Sequence, residues 1–246
     1  MKKTAEEIQK YYQKEQVVES YKQRRFLGPG GKYIHEGEVA PIVEAIQQEL
    51  DTRKNVKVLD VASGSGRLTF ELLGLDAEIY ALDASEEMLK LLEKKVKKSS
   101  IFHQSVAEPL PISFSFDVIT SLRFFEHFAM KDQVDFLRNL QRHLKPGGTL
   151  VYASVNARSF EALFSSFFPY GRYNFFYKDA LYKAVFQRLG FTVESRTCAF
   201  FIPRGTFLAL QKYTWLESIL EKIDRALTKA FPGLSSYFVY SLRNTK

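Results

Sequence analysis

Two acids, Asp60 and Asp83, stand where this chain could do chemistry. Asp60 lies near the end of the run Val56-Lys57-Val58-Leu59-Asp60-Val61, whose length and β-branched content suit a buried parallel strand. Small residues follow, Ala62-Ser63-Gly64-Ser65-Gly66, and then helical spacing at Leu68, Leu72 and Leu73. Glycine in such a turn lets the backbone approach a ligand that a Cβ would strike. A carboxylate just before the turn would repel a diphosphate and attract a cationic group such as an ammonium. Asp83 ends a second run, Ala77-Glu78-Ile79-Tyr80-Ala81-Leu82, and lies 17 positions beyond Gly66. At about that spacing an acid reaches the hydroxyls of a ribose, and a carboxylate can accept from both hydroxyls at once.

The elements that must hold these acids alternate between strand and helix. Strand, small-residue turn and helix in that order form the first half of a nucleotide-binding βαβ unit. Further strands are expected at Ile101-Phe102-His103, Phe116–Ser121 and Thr149–Val155, with a sixth opening at Gly190-Phe191-Thr192-Val193-Glu194. Ser236–Leu242 makes a last strand, expected to run antiparallel. Helices are expected over Glu38–Leu50 with Pro41 in the first turn, after Ser85 as N-cap, over Lys131–Leu144, and over Tyr177–Leu189. Thr4–Gln23 also carries helical spacing, while Leu27-Gly28-Pro29-Gly30-Gly31-Lys32 reads as a flexible loop.

The pattern Asp60-x-Ala62-x-Gly64-x-Gly66 is not the Gly-x-Gly-x-x-Gly of a dinucleotide site. It resembles the first motif of class I S-adenosylmethionine-dependent methyltransferases of the small-molecule, methyltransferase type 11-like kind, usually Asp/Glu-x-Gly-x-Gly-x-Gly. Ala62 replaces the first glycine. Gln104–Pro111, Phe116–Phe128, Leu144-Lys145-Pro146-Gly147-Gly148-Thr149-Leu150 and Leu189-Gly190-Phe191-Thr192-Val193 are also similar to that family's later motifs. The resemblance covers roughly Arg24 to Phe201 plus the last strand. It implies a doubly wound, Rossmann-like α/β fold with a seven-stranded, mostly parallel sheet, a reversed last strand and helices on both faces. One domain over residues 1–246 is expected, with a covering segment at 1–37 and a helical insertion or lid at 204–234.

The resemblance also implies a site for S-adenosyl-L-methionine. Asp60, Gly64 and Gly66 would hold the methionine end and Asp83 the ribose, with Ala62, Ser65 and Ala84 completing that edge. Met88 would pack on the adenine or serve as ordinary core. Val106 stands where the family often has an acid for the adenine amino group, so Ala107 or Glu108 would take that part. Ser121 and Arg123 would lie beside the cofactor, and His127 is a candidate general base because an imidazole titrates near neutral pH. The acceptor is expected between the N-terminal segment and the aromatic stretch Phe160 to Tyr177, which favours a small hydrophobic or aromatic molecule.

Composition narrows the alternatives. Hydrophobic residues make up 46% and charged residues 26% of the 246, a globular balance. One cysteine, Cys198, rules out an internal disulfide and a multi-cysteine zinc site, and four scattered histidines suggest no metal. No apolar run is long enough to span a bilayer, and the start has no apolar stretch of a secretory signal, so a cytoplasmic protein is expected. The net charge of +7 and the lysines at 90, 94, 95, 97 and 98 keep nucleic acid open as a partner, with an RNA methyltransferase as the alternative enzyme. A non-catalytic S-adenosylmethionine-binding protein is the alternative outside enzymes. Over Gly205 to Pro232, apolar positions from Leu208 to Phe231 share one helical stripe. Such a stripe packs as core or lid, and a basic amphipathic helix carrying Trp215 can also rest on a membrane.

Overall fold

Six runs of alternating or continuous apolar residues lie in register beside the first strand to form one sheet. In the computed structural model, residues 28–97, 100–110, 112–165 and 174–246 are described. The expected helix over Thr4–Gln23 lies outside them, as do Phe167, Phe168, Tyr170 and Tyr173 of the aromatic stretch. The strands are β1 (Val56–Val61), β2 (Ala77–Asp83), β3 (Ile101–His103), β4 (Phe116–Ser121), β5 (Leu144–Val155), β6 (Phe191–Ala199) and β7 (Tyr237–Asn244). Their order across the sheet is β3-β2-β1-β4-β5-β7-β6. β1 pairs in parallel with both β2 and β4, and β7 runs antiparallel to β5 and β6, as expected for the reversed last strand. The order reverses between β1 and β4, and open sheets of this kind bind ligands at the carboxyl ends of the strands flanking such a point.

Helices cover both faces. They are α1 (Pro29–Leu50), α2 (Thr69–Leu72), α3 (Glu86–Leu92), α4 (Met130–Gln141), α5 (Phe160–Leu163), α6 (Asp179–Leu189), α7 (Arg204–Leu210) and α8 (Thr214–Ala230). On one face Ile34, Ile42 and Ile46 of α1 pack with Val56, Val58, Val118 and Val151. On the other, Phe136 and Leu140 of α4 and Tyr182 and Phe186 of α6 pack with Leu59, Ile119, Leu150 and Tyr152. β4 is buried along its whole length, with Val118 packed on the α1 side and Ile119 on the α4 side.

Three local expectations change. The glycine-rich stretch is not a loop: α1 begins at Pro29, with extended Gly28 as its cap, and Pro41 lies inside the helix rather than in its first turn. Gly30 and Gly31 are buried there, and a Cβ on Gly30 would overlap the Phe207 carbonyl oxygen of α7. The glycines therefore serve a close helix–helix approach, which local propensity does not reveal. The helix expected to reach Leu144 ends at Gln141, and β5 begins at Leu144. The stretch Lys145-Pro146-Gly147-Gly148 becomes a bulge, because the register with β4 jumps between Phe116 and Val118. Ser85 caps α3 as expected, its hydroxyl accepting from the Met88 amide at 3.4 Å.

Candidate functional site

The parallel pairing of β1 with β2 sets the two acids side by side at one end of the sheet, with Val61 opposite Leu82. Between them the chain turns sharply. Ala62 has φ 55°, Gly64 φ 55° and Gly66 φ 90°, all in the left-handed region. The turn is therefore kept with alanine in the first position, at a steric cost of roughly 1–2 kcal/mol that glycine would not bear. Asp83 fastens it: Gly64 N donates to Asp83 Oδ2 at 2.8 Å, and Ser85 N donates to Oδ1 at 2.8 Å. Burial still leaves the Asp83 carboxyl above the ordinary carboxylate range, against these two amides.

Asp60 is buried more deeply and is less satisfied. Its Oδ2 accepts from the Thr69 hydroxyl at 2.6 Å, while Oδ1 has no hydrogen-bond partner among the described residues. Desolvation pushes its carboxyl up to about 7, with the nearby Asp83 charge adding to the rise and Thr69 opposing it. An unpartnered carboxyl oxygen in a buried position is costly in isolation. A cationic or donor group from a ligand would relieve it.

A cavity of about 390 Å³ opens over these residues. Of the residues expected at the site, Asp60, Ala62, Gly64, Ser65, Asp83, Ala84, Met88, Val106, Ala107, Glu108 and Arg123 line it, as does His127. Gly66 and Ser121 do not. A Cβ on Gly66 would strike Leu92 and Phe70, so this glycine seats the turn against α3 rather than facing the cavity. Ser121 is buried within the sheet at the end of β4, below the lining residues Leu122 and Arg123. Gly64 has open space where a Cβ would stand. An orphaned carboxylate oxygen and a bare stretch of backbone at one end of the cavity fit the α-ammonium and carboxylate end of S-adenosylmethionine.

At the other end, Asn139 of α4 shapes the loop after β3. Its amide donates to the Val106 carbonyl at 2.9 Å and to the Glu108 carbonyl at 2.6 Å. The Glu108 carboxylate accepts from Gln104 at 2.6 Å, and the Ala107 amide donates to the Ser105 hydroxyl at 3.3 Å. Nothing in the local sequence around Val106 points to Asn139, which comes from a different helix.

The cavity also has an aromatic wall among the described residues. It is built by Phe124 and Phe128, after β4, and by Phe136 of α4, with ring centroids 4.8 to 5.7 Å apart. No described residue of the Phe160 to Tyr177 stretch lines the cavity. Leu163 and Phe164 are instead exposed, and the Tyr177 hydroxyl accepts from the Met130 amide at 2.8 Å. The run Phe124-Phe125-x-x-Phe128 is plain in the sequence, but its spacing alone does not say which rings face the ligand.

Two arginines on the cavity wall belong to a buried ionic cluster. Glu38 of α1 binds Arg67 at 2.5 Å, approaches Arg123 at 3.6 Å, and pairs with Arg204. Arg123 also pairs with Glu126 at 2.9 Å, and Arg204 pairs with Glu161 of α5. Burial alone would raise the Glu38 carboxyl, but the three guanidinium groups overcome it and hold the group well below the usual range. Through this cluster α1, α5 and α7 are tied to the cavity wall without lining it. No motif in the sequence marks Arg67 or Glu38, because their partners lie on other elements.

The lysine run on and just after α3 contains side chains already engaged with the protein. Lys90 lies 2.6 Å from Glu87 and 3.7 Å from Glu86, and Lys95 sits over the Phe70 ring.

Residues 59–152 match a protein-family model described as a methyltransferase domain. The chain is 38% identical over 108 residues to a ubiquinone/menaquinone biosynthesis C-methyltransferase of Azotobacter vinelandii, covering 40% of this chain and 42% of that protein. It is 28% identical over 153 residues to a malonyl-[acyl-carrier protein] O-methyltransferase of Bacillus cereus, covering 59% and 56% respectively. The chain thus spans about half the length of these curated relatives. Its fold is similar to that of a magnesium protoporphyrin IX methyltransferase from Synechocystis solved with bound S-adenosylmethionine. The TM-score is 0.64 at 13% identity, over 96% of this chain and 95% of that one.

Proposed function

We propose that this chain, with a methyltransferase domain recognisable over residues 59–152, is an S-adenosylmethionine-dependent methyltransferase acting on a small hydrophobic acceptor. The observation that carries the reading is the Asp60 carboxylate, buried with one oxygen unpartnered beside an open glycine turn and a second acid. S-adenosylmethionine supplies its own electrophile, a methyl group on a sulfonium, so the protein need not generate one. What remains for the chain is to bind, orient and exclude water.

In this reading Asp60 and the Gly64 turn take the amino-acid end, and Asp83 accepts from the ribose hydroxyls. Met88, Val106, Ala107 and Glu108 border the base. The acceptor rests against Phe124, Phe128 and Phe136, and His127 on the same wall is the candidate to receive its proton. A relative named for ubiquinone/menaquinone biosynthesis supports a greasy acceptor. Alignment of the two reactants in such a pocket can contribute several kcal/mol without any strong base.

Titration calorimetry with S-adenosylhomocysteine tests the cofactor assignment. The wild-type chain is expected to bind it and to ignore NAD, and Asp83→Ala is expected to weaken binding by about tenfold or more, the usual worth of a charged hydrogen-bonding partner. A wild-type chain indifferent to S-adenosylhomocysteine ends the proposal. A screen of quinones, phenols and acyl thioesters with radiolabelled methyl donor then identifies the acceptor.

A further inference from the structure

Helix α8 is docked the wrong way round for a core helix. Its buried side chains are acids: Asp224 accepts from the Tyr33 hydroxyl at 2.7 Å and from the Ile202 amide at 2.6 Å, and Glu217 is buried beside it on the same face. Thr228 accepts from the Phe201 amide on this inner side. Its tryptophan and both isoleucines point outward instead. Trp215 is 70% exposed, Ile219 46% and Ile223 45%, and they recur every four residues along one stripe. Phe231, at the helix end, is half exposed and continues the surface. Its ring lies 5.9 Å from that of Phe201, which lies 5.3 Å from Phe160 at the start of α5, where Leu163 is also exposed. Of the expected stripe, Leu208 on α7 and Leu216, Leu220 and Leu227 on α8 are half-buried, and Leu208 and Leu220 pack against the core.

Charge on α8 is sorted by sign in the same way. Its acids Glu217 and Asp224 are buried and Glu221 is half-buried, whereas Lys222, Arg225 and Lys229 are exposed. Lys222 and Lys229 flank the apolar stripe on one side, and Arg225, further round the helix, lies over the Tyr33 ring. An exposed apolar stripe edged by cations alone matches a surface that is apolar beneath and anionic above. A protein partner of ordinary composition would leave the cations without this match.

We propose that the face carrying Trp215, Ile219, Ile223 and Phe231 docks on the surface of an anionic lipid bilayer. No described helix is long and apolar enough to cross a membrane, so the helix lies in the interface plane. The cavity is linked to this face by ion pairs. Glu161, between Phe160 and Leu163, binds Arg204, which binds Glu38, which binds the cavity-lining Arg67. The proposal goes beyond the methyl-transfer reading and stands on the exposed helix face alone.

Trp215 is the chain's single tryptophan and reports on its own docking. The full chain is mixed with vesicles of phosphatidylcholine, with and without phosphatidylglycerol. In the anionic vesicles the Trp215 emission shifts to the blue and is quenched by brominated lipid, and the shift weakens as salt is raised. Lys222→Gln with Lys229→Gln lowers partitioning by roughly 25-fold, about fivefold for each lysine. Ile219→Glu with Ile223→Glu abolishes it, while thermal melting and S-adenosylhomocysteine binding stay as in the wild type. Should the glutamate pair fail to fold, the lysine pair still decides the matter. Emission indifferent to anionic vesicles overturns the proposal, as does partitioning that survives the paired substitutions. A blue shift that grows with protein concentration in the absence of lipid also overturns it, and assigns the face to a second copy of the chain.

Discussion

Replacing Asp60 by asparagine separates the cost of the buried charge from its use. The folded chain holds this carboxyl at about 7, against 3.8 for an unhindered aspartate. Because the folded value is raised, the native state binds the extra proton between those two pH values, and stability falls as pH rises through that window. From about pH 5 to about pH 8 the wild-type chain is expected to lose about 2.5 kcal/mol through this one group. An asparagine side chain cannot titrate, so Asp60→Asn removes that loss, whatever constant offset the new amide introduces. In a chain of this length the difference corresponds to roughly 5–10 °C in melting temperature. The assay is thermal melting of both proteins across the pH range without ligand. Calorimetry supplies the other half. If a ligand ammonium restores the carboxylate, then near pH 6 S-adenosylhomocysteine binding to wild type releases roughly one proton, seen by comparing buffers of different ionisation enthalpy. Asp60→Asn should bind about tenfold or more weakly and release none. Parallel melting curves for the two proteins across pH, or equal affinity, would refute the reasoning.

Ala62→Gly should stabilise the chain by about 1 kcal/mol in urea denaturation, because φ 55° suits glycine and strains alanine. Gly30→Ala places a methyl group against the Phe207 carbonyl and should cost about 1–3 kcal/mol, read from the same curves. Glu38→Gln strips Arg67 and Arg204 of a shared carboxylate and should destabilise by about 3–5 kcal/mol in denaturant titrations. Phe124→Ala should raise the KM of a hydrophobic acceptor several-fold and leave S-adenosylhomocysteine affinity unchanged, since its ring packs with Phe128 and Phe136 in the aromatic wall.

What the sequence makes legible is whatever depends on local periodicity. The strands β1, β2 and β4 are short segments with β-branched and apolar residues at their centres, and pairing the first two brings Asp60 and Asp83 together as their spacing implies. What it hides depends on contacts between distant segments. Gly28-Pro29-Gly30-Gly31 reads as a loop because only α7, over 170 positions later, explains why a helix there needs glycine. Asn139 shapes the Val106 loop from a helix whose own pattern marks only its apolar face. The stripe on α8 is visible, but not which side of it faces water. Periodicity locates a stripe, and the inward hydrogen bonds of Asp224 decide its direction.

The ionic cluster shows the same dependence on distant segments and explains why the cavity wall is held from outside. Three carboxylates (Glu38, Glu126, Glu161) meet three guanidinium groups (Arg67, Arg123, Arg204), so the buried charge sums to zero. Desolvating six ions consumes most of what their attraction returns, and a well-packed apolar replacement of the whole group would fold about as stably. Apolar side chains, however, could slide past one another. Arg204 donates to Glu161 through both Nε and Nη2, which fixes the angle between α5 and α7 as well as their distance. Glu38 passes that geometry to Arg67 on the cavity wall, so the outer helices and the ligand-facing turn keep a common register. Any substitution that unpairs one member leaves a buried charge without its counter-ion, and for Arg67 and Arg123 that charge stands on the cavity wall.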